Sequence, residues 1–308
     1  MMARLLLWQP PSAGGRAIPN GAEILSWHNR GGAFQVPSNV ICSSLTPPQA
    51  ALESNLHGHI SFLQRLLSGM AVLDQEDILL VDSGVPSDTF NKIARARFPE
   101  SDADRRIAEI IQHFRAAKRP FAWWVGPGSR PLNLEARLRQ HGLAAAESEL
   151  GMFLELRNLP PKMDGPEELK ICRVSTPEQI AAFATVFAAN WEPPDPTVLL
   201  FYSAATPVLL EPRCPMVLFV GCVNGSPVSC SELFVDPSAG GIAGVYSVAT
   251  KRAFRRRGFG SALTWAALDE ARQQGISTAV LQSSEDGKGV YTRLGFAPCC
   301  HLTEYTVV

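Results

Sequence analysis

One stretch constrains this chain more than any other. Val248-Ala-Thr-Lys-Arg-Ala-Phe-Arg-Arg-Arg-Gly-Phe-Gly-Ser-Ala-Leu263 passes from an apolar, strand-like run through a basic, glycine-spaced turn into a helical pattern. Glycines two apart let the backbone turn sharply and gather several N–H groups at a helix start, where the helix dipole favours an anion. Arg255, Arg256 and Arg257 stand beside them. This chemistry suits a phosphate-bearing ligand. The turn is not a P-loop, since Gly-x4-Gly-Lys-Ser/Thr is absent, and it lacks the Gly-x-Gly-x-x-Gly of a dinucleotide fingerprint.

The pattern around the turn is regular. A strand at Leu169–Arg173 leads to a helix over Pro177–Asn190, capped by Thr176, and a second helical region at Thr197–Tyr202. Strands are expected at Met216–Val223, Val228–Val235 and Ile242–Ala249, the first two joined by a hairpin at Asn224-Gly225, residue types that accept positive φ. A helix runs from Gly258 or Gly260 to Gln273, and Gly275 ends it. A strand starting at Thr278, a short helix over Lys288–Leu294 and a last strand at Cys300–Val307 complete this half. An antiparallel meander that turns into a βαβ-like unit implies a mixed sheet covered by helices.

The preceding half is less regular. Residues 1–45 are rich in Pro, Gly and Ser and read as irregular, with one short strand at Ala22–Ser26. A helix is expected from Thr46 to Leu67, a strand at Ile78–Val81, an amphipathic helix over Ala103–Arg115 and a strand at Pro120–Val125. A turn at Gly126–Pro131, a helix at Leu132–His141 and a strand at Met152–Leu156 follow. The polar, proline-bearing segment Arg157–Pro166 is the best boundary, dividing the chain into domains at 1–160 and 167–308.

Of the 308 residues, 46% are hydrophobic and 19% charged, and the formal net charge is −1, which argues for a folded core and against general attraction to nucleic acid or an anionic membrane. The arginines are therefore a local feature, and neither nucleic acid nor membrane is expected as a partner. The opening apolar run is short and soon meets Pro10 and Pro11, so the reading is cytoplasmic. Seven cysteines without a CxxC pair read as buried free thiols. The six histidines are scattered, and His57 and His59, two apart on a helix, do not share a face, so no metal is expected.

Arg255-x-x-Gly258-x-Gly260 after a strand, followed by Ala279–Ser284 and by Tyr291 with Leu294-Gly-Phe296, resembles the cofactor-binding core of the GCN5-related N-acetyltransferase (GNAT) superfamily. The resemblance is carried by residues 170–308. Over 75–157, where Trp123–Pro131, Leu138–Gly142 and the Met152 strand carry it, the chain is similar to the degenerate first half of tandem members. It implies an α/β (α+β) protein with the acyl-CoA N-acyltransferase fold: a mixed, mostly antiparallel twisted sheet flanked by helices, in two GNAT-like halves. Acetyl-CoA is implied as cosubstrate, and a small-molecule or peptide amine as acceptor, for a monomer or homodimer.

The implied roles are specific. Backbone groups of Val248, Ala249 and Thr250 would pair with the pantetheine arm, and an N–H of Val248 or Ala249 would face the oxyanion. Amides from Arg256 through Arg257, Gly258, Phe259 and Gly260 to Ser261 would hold the pyrophosphate, with Arg255, Arg256 or Lys251 touching phosphate or ribose. Ser283 or Ser284 stands where the family often has Asn. Tyr291 would protonate the departing thiolate, and Glu232 or Glu285 would be the general base. Cys230 is read as packing, and Trp123 and Trp124, facing opposite sides of a strand, as structural. The alternative is a non-catalytic acyl-CoA binding or sensing module.

Overall fold

The computed structural model describes residues 45–162, 165–236 and 241–307. The strand expected at Ala22–Ser26 and the thiol of Cys42 lie outside the described residues. Seven helices and eleven strands are described: α1 (Pro47–Leu66), β1 (Ala71–Gln75), β2 (Ile78–Asp82), β3 (Lys92–Ala94), α2 (Ala103–Ala116), β4 (Ala122–Val125), α3 (Leu134–Gln140), β5 (Leu143–Glu155), β6 (Lys170–Arg173), α4 (Pro177–Ala188), α5 (Pro196–Leu209), β7 (Met216–Val223), β8 (Ser226–Asp236), β9 (Ile242–Thr250), α6 (Phe259–Gln273), β10 (Thr278–Ser283), α7 (Glu285–Arg293) and β11 (Ala297–Val307).

All eleven strands join one sheet in the order β1-β2-β3-β4-β11-β5-β10-β9-β8-β7-β6. Two crossovers are parallel, β3–α2–β4 and β9–α6–β10; the other pairings are antiparallel. The halves exchange their last strands. β11, from the C-terminus, inserts between β4 and β5, while β5 pairs with β10 of the second half. The segment 157–166 falls between β5 and β6, and hydrogen bonding across the sheet runs unbroken past it.

The strand exchange explains the largest difference from the expected elements. A strand was expected only at Met152–Leu156, yet β5 begins at Leu143 and takes in Ala144, Ala145, Ala146, Glu147, Ser148 and Glu149. These residue types have little strand preference of their own. They are extended because β11 pairs along them, from Val307 opposite Leu143 to Ala297 opposite Phe153, with irregularities at Ala146 and Cys299. β1 and the three-residue β3 carry too short a pattern to be seen, and α5 continues to Leu209 through an internal Pro207. The hairpin is as expected, with Asn224 at φ 49° and Gly225 at φ 80°.

Three apolar cores hold the layers. One runs under α1, α4 and α5 and spans both halves, joining Leu52, Leu56 and Leu63 to Phe183, Phe201, Leu218 and Phe234. A second packs α2 and α3 on the first half's strands, around Trp123, Phe114 and Tyr305; Tyr305 is the second half's contribution through β11. The third lies under α6, with Leu263 and Leu268 against Phe219, Leu233 and Val245. Trp123 is fully buried, while Trp124, on the other face of β4, has the Lys92 ammonium over its ring. Of the six described cysteines, all free, only Cys230 is fully buried; the others are half-buried. Among the described residues no helix is long and apolar enough to cross a membrane.

Candidate active site

The site begins where β9 and β10 part. The two strands pair only over Ile242–Gly244 and Thr278–Val280, so the edge of β9 facing β10 is open from Val245 to Thr250. A bulge lies within that open edge. Cys230 of β8 faces Ala249 and Glu232 faces Tyr246, leaving Ser247 and Val248 opposite the single residue Ser231. Ser247 adopts φ 50°, a left-handed conformation that costs a side-chain-bearing residue energy and re-aims the strand. Val248 packs toward the α6 layer and Ala249 is buried toward the α1 layer.

Beyond Thr250 the chain makes a short 3₁₀ turn over Arg252–Phe254 and enters α6 through Gly258 at φ 81°. Arg256 is also left-handed, at φ 61°. The amides of Arg256, Arg257, Gly258, Phe259, Gly260 and Ser261 make no hydrogen bond to any described residue, and the first helical donor to find a partner is Ala262 N–H, on Gly258 O at 3.0 Å. Part of this is the inherent vacancy of a helix N-terminus; the rest comes from the turn. A Cβ at Gly260 would meet Val248 Cγ1 at 3.8 Å and Thr250 Oγ1 at 3.9 Å, so the first turn of α6 sits against the end of β9.

The arginine side chains divide. Arg255 Nε donates to Thr250 O at 2.9 Å, tying the turn to β9. Arg257 pairs with Glu168 and lies over the rings of Phe254 and Phe259. Phe259 itself is buried, so its contribution to a ligand is its amide. All three arginines are exposed.

Tyr291, on α7, packs in the α6-side layer with its ring edge against Phe296, at 6.1 Å between centroids. A Cβ at Gly287 would come within 2.8 Å of its Cε2 and 3.2 Å of Ser283 Oγ, so the ring lies across the end of β10, where a glycine makes room. Burial, with the nearby charge of Glu149 on β5, pushes the Tyr291 phenol up to about 12. Ser283 is buried and its hydroxyl donates to Ser284 O at 2.7 Å.

Glu232 sits in the opposite layer, under α1 and α5, and is 1% exposed. Its Oε1 lies 2.6 Å from His59 Nε2, and its Oε2 accepts from Tyr202 Oη at 2.9 Å and Ser247 Oγ at 3.3 Å. Burial pushes the carboxyl up, but the His59 charge and the three hydrogen bonds outweigh it and hold Glu232 below the ordinary glutamate value. Both oxygens are thus occupied. Glu285, the other carboxylate considered, is exposed in the first turn of α7. Cys230 is buried in the sheet and its thiol is pushed far up by that burial, as befits a packing residue.

Sequence reading missed His59, Tyr202 and Glu149. Asn55 and His59 carry a legible signal, polar residues four apart on the apolar stripe of α1 between Leu52, Leu56 and Leu63. In the structure Asn55 accepts from Tyr246 Oη at 2.6 Å and donates to Ile242 O at 2.8 Å, docking α1 onto β9. Glu149 lies in the stretch of β5 that propensity does not mark as strand. Burial, with Glu147 and Glu304 nearby, pushes it up to about 7, against the opposing influence of Lys92.

The architecture defines a class of fold, the acyl-CoA N-acyltransferase fold, a mixed and mostly antiparallel sheet flanked by helices. Residues 179–296 match the model of the acetyltransferase (GNAT) family. In structure the chain is similar to a GCN5-related N-acetyltransferase from Kribbella flavida (18% identity, TM-score 0.64, covering 86% of this chain and 96% of that one). It is also similar to one from Sphaerobacter thermophilus (18% identity, TM-score 0.54, 84% and 90%). A tandem GNAT protein from the clavulanic acid biosynthesis pathway aligns at 13% identity and TM-score 0.51, over 75% of this chain and 78% of that one. At such identities the likeness speaks to the fold. Among curated proteins none matches in sequence.

Proposed function

We propose that the chain transfers an acetyl group from acetyl-CoA to a primary amine of a small molecule or peptide. The observation that carries this reading is the row of unpartnered amides from Arg256 to Ser261, at the end of an open β9 edge with Tyr291 across the end of β10. The residues fit the cosubstrate. The amides suit a pyrophosphate, with the exposed Arg255 and Arg256 as auxiliary charges, and the open backbone of Val248, Ala249 and Thr250 suits the amide-bearing pantetheine arm, with Ser283 at the end of β10. When bound, the cosubstrate supplies an activated acyl group as a thioester.

The chain's own groups then have defined tasks. An N–H at the open edge, from Val248 or Ala249, donates to the carbonyl oxygen as negative charge grows there. A phenol pushed up to about 12 is protonated at neutral pH and is a proton donor for the departing sulfur. Glu232 marks the side from which the acceptor enters, beneath α1 and α5. The first half, up to residue 160, is read as the partner that binds no cofactor and shapes that side, and 167–308 as the catalytic half.

Calorimetry with acetyl-CoA tests the common ground: saturable binding is expected, and its absence overturns the reading. Release of free thiol that depends on added amine separates an enzyme from a binding module. Tyr291→Phe should lower kcat by about 10²-fold while moving the acetyl-CoA Kd less than about threefold. Equal losses in both would make the tyrosine structural.

A further inference from the structure

A small cavity of about 100 Å³ lies under α1 and α5 and is lined in part by His59, Gln64, Phe201, Tyr202, Glu232 and Ser247. It touches the bulge of β9 through Ser247. The His59 ring is held on three sides: it stacks on Tyr246 at 3.6 Å between centroids and 8° between planes, meets Phe234 edge-on at 5.8 Å, and is bonded to Glu232 at 2.6 Å. Glu232 accepts at Oε1, so a proton between them belongs to His59 Nε2. In its base form, without a second proton, the ring presents a lone pair at Nδ1.

Nδ1 is buried and has no hydrogen-bond partner among the described residues, and neither has Oε1 of Gln64, another residue that lines the cavity. A buried polar atom left unpaired costs about 1–3 kcal/mol, so these two call for a ligand that donates. Both are acceptors. A primary amine has N–H donors for each, and the rings of Phe90, Phe187 and Phe201 offer an apolar wall to its carbon chain.

We infer that His59, from the first half's helix, takes the proton from the acceptor amine at Nδ1, with Glu232 as the positioning residue that fixes the tautomer. This rests on the acyl-transfer reading above. In the step the amine nitrogen bonds to the acyl carbon, the carbon–sulfur bond breaks, the N–H proton passes to Nδ1, and the sulfur takes its proton from the Tyr291 hydroxyl. Solvent reprotonates Tyr291 and removes the proton from His59, so one amine and one thioester give one amide and one thiol. The charged and titratable groups around the ring are Glu232 of β8, Tyr202 of α5, Tyr246 of β9 and Lys92 of β3, the last paired with Glu304 of β11 at 3.3 Å.

The test uses the full chain with n-butylamine as probe and acetyl-CoA as donor. His59→Gln should lower kcat about 10²-fold or more and leave the acetyl-CoA Kd within about twofold. Glu232→Gln should lower kcat with the KM for n-butylamine changed less than about threefold, and should remove the preference for the Nε2 proton in the nitrogen spectrum of the ring, because an amide does not fix the tautomer. Nitrogen NMR of the wild-type ring should show Nε2 protonated and Nδ1 shifted by the amine alone. A His59→Gln rate within threefold of wild type, or an Nδ1 resonance that the amine does not move, overturns the inference. If wild type binds acetyl-CoA yet releases no thiol, the enzyme reading fails separately, and the Nδ1 titration decides this one.

Discussion

The molecule contains the same local plan twice, a parallel strand pair joined through a helix, and the two copies treat their turns in opposite ways. In the second half the turn between β9 and α6 carries Gly258 and Gly260 and leaves six consecutive amides without partners. In the first half the turn between β3 and α2, Arg95–Asp102, has no glycine and spends its backbone internally. Arg97 N–H bonds Asp77 O at 2.8 Å, Phe98 N–H bonds Arg130 O at 3.2 Å, Arg130 N–H returns to Ala96 O at 2.8 Å, and Asp102 and Ala103 N–H both bond Pro99 O. Phe98 is buried against Trp123. In the proposed function the first turn is a cradle for an anion, whereas the other is a strut, because an amide that is already bonded has nothing to offer a phosphate.

Substitutions should separate the two. The largest stability effect is expected at the strut: Phe98→Ala should cost about 3–5 kcal/mol, read by denaturant unfolding, with acetyl-CoA affinity unchanged at temperatures where the protein is folded. A loss of affinity there would show that the first half's turn takes part in cofactor binding. At the cradle, Gly258→Ala has room for the methyl, whose nearest neighbour would be Pro166 Cγ at 3.8 Å, but must hold φ 81°. It should cost about 1–2 kcal/mol of stability and weaken acetyl-CoA binding by about tenfold, measured by calorimetry. Unchanged binding would remove the turn from the site.

Glu149 probes the seam, since it belongs to the first half yet its charge reaches Tyr291. Its folded value of about 7 lies above the ordinary 4.5, so its contribution to stability is fully present below pH 4.5 and is lost as pH rises through 7. The Tm of Glu149→Gln minus that of wild type should therefore grow between pH 4.5 and 7 and stay level above about 8; a difference that shrinks with pH would contradict the burial of this carboxyl. The smallest effect is expected for Arg257→Ala. Its exposed pair with Glu168 is worth about 0–1 kcal/mol, and acetyl-CoA affinity should fall less than about threefold.

The turn itself was legible because its chemistry is local. Gly258, Gly260, Arg255 and the apolar run before them are contiguous, and a backbone that needs positive φ at a helix start declares itself through glycine. Tyr291 was legible for a similar reason, standing three residues before Leu294-Gly-Phe296. Glu232 was legible on its strand, whereas the groups that engage both its oxygens were not.

What the sequence alone determined is therefore the helices, the apolar strands and the glycine-spaced turn, each written in neighbouring residues through periodicity, capping and glycine spacing. Tertiary structure decided the rest: that β5 and β11 trade places across the halves, that the alanine-rich start of β5 is a strand, and that His59 meets Glu232 across a separation of 173 residues. Strand partners and buried polar pairs depend on which surfaces the folded chain brings together, and no local pattern encodes that. α1 shows both sides of the division, since its apolar stripe predicts a helix while the site it completes belongs to the other half of the molecule.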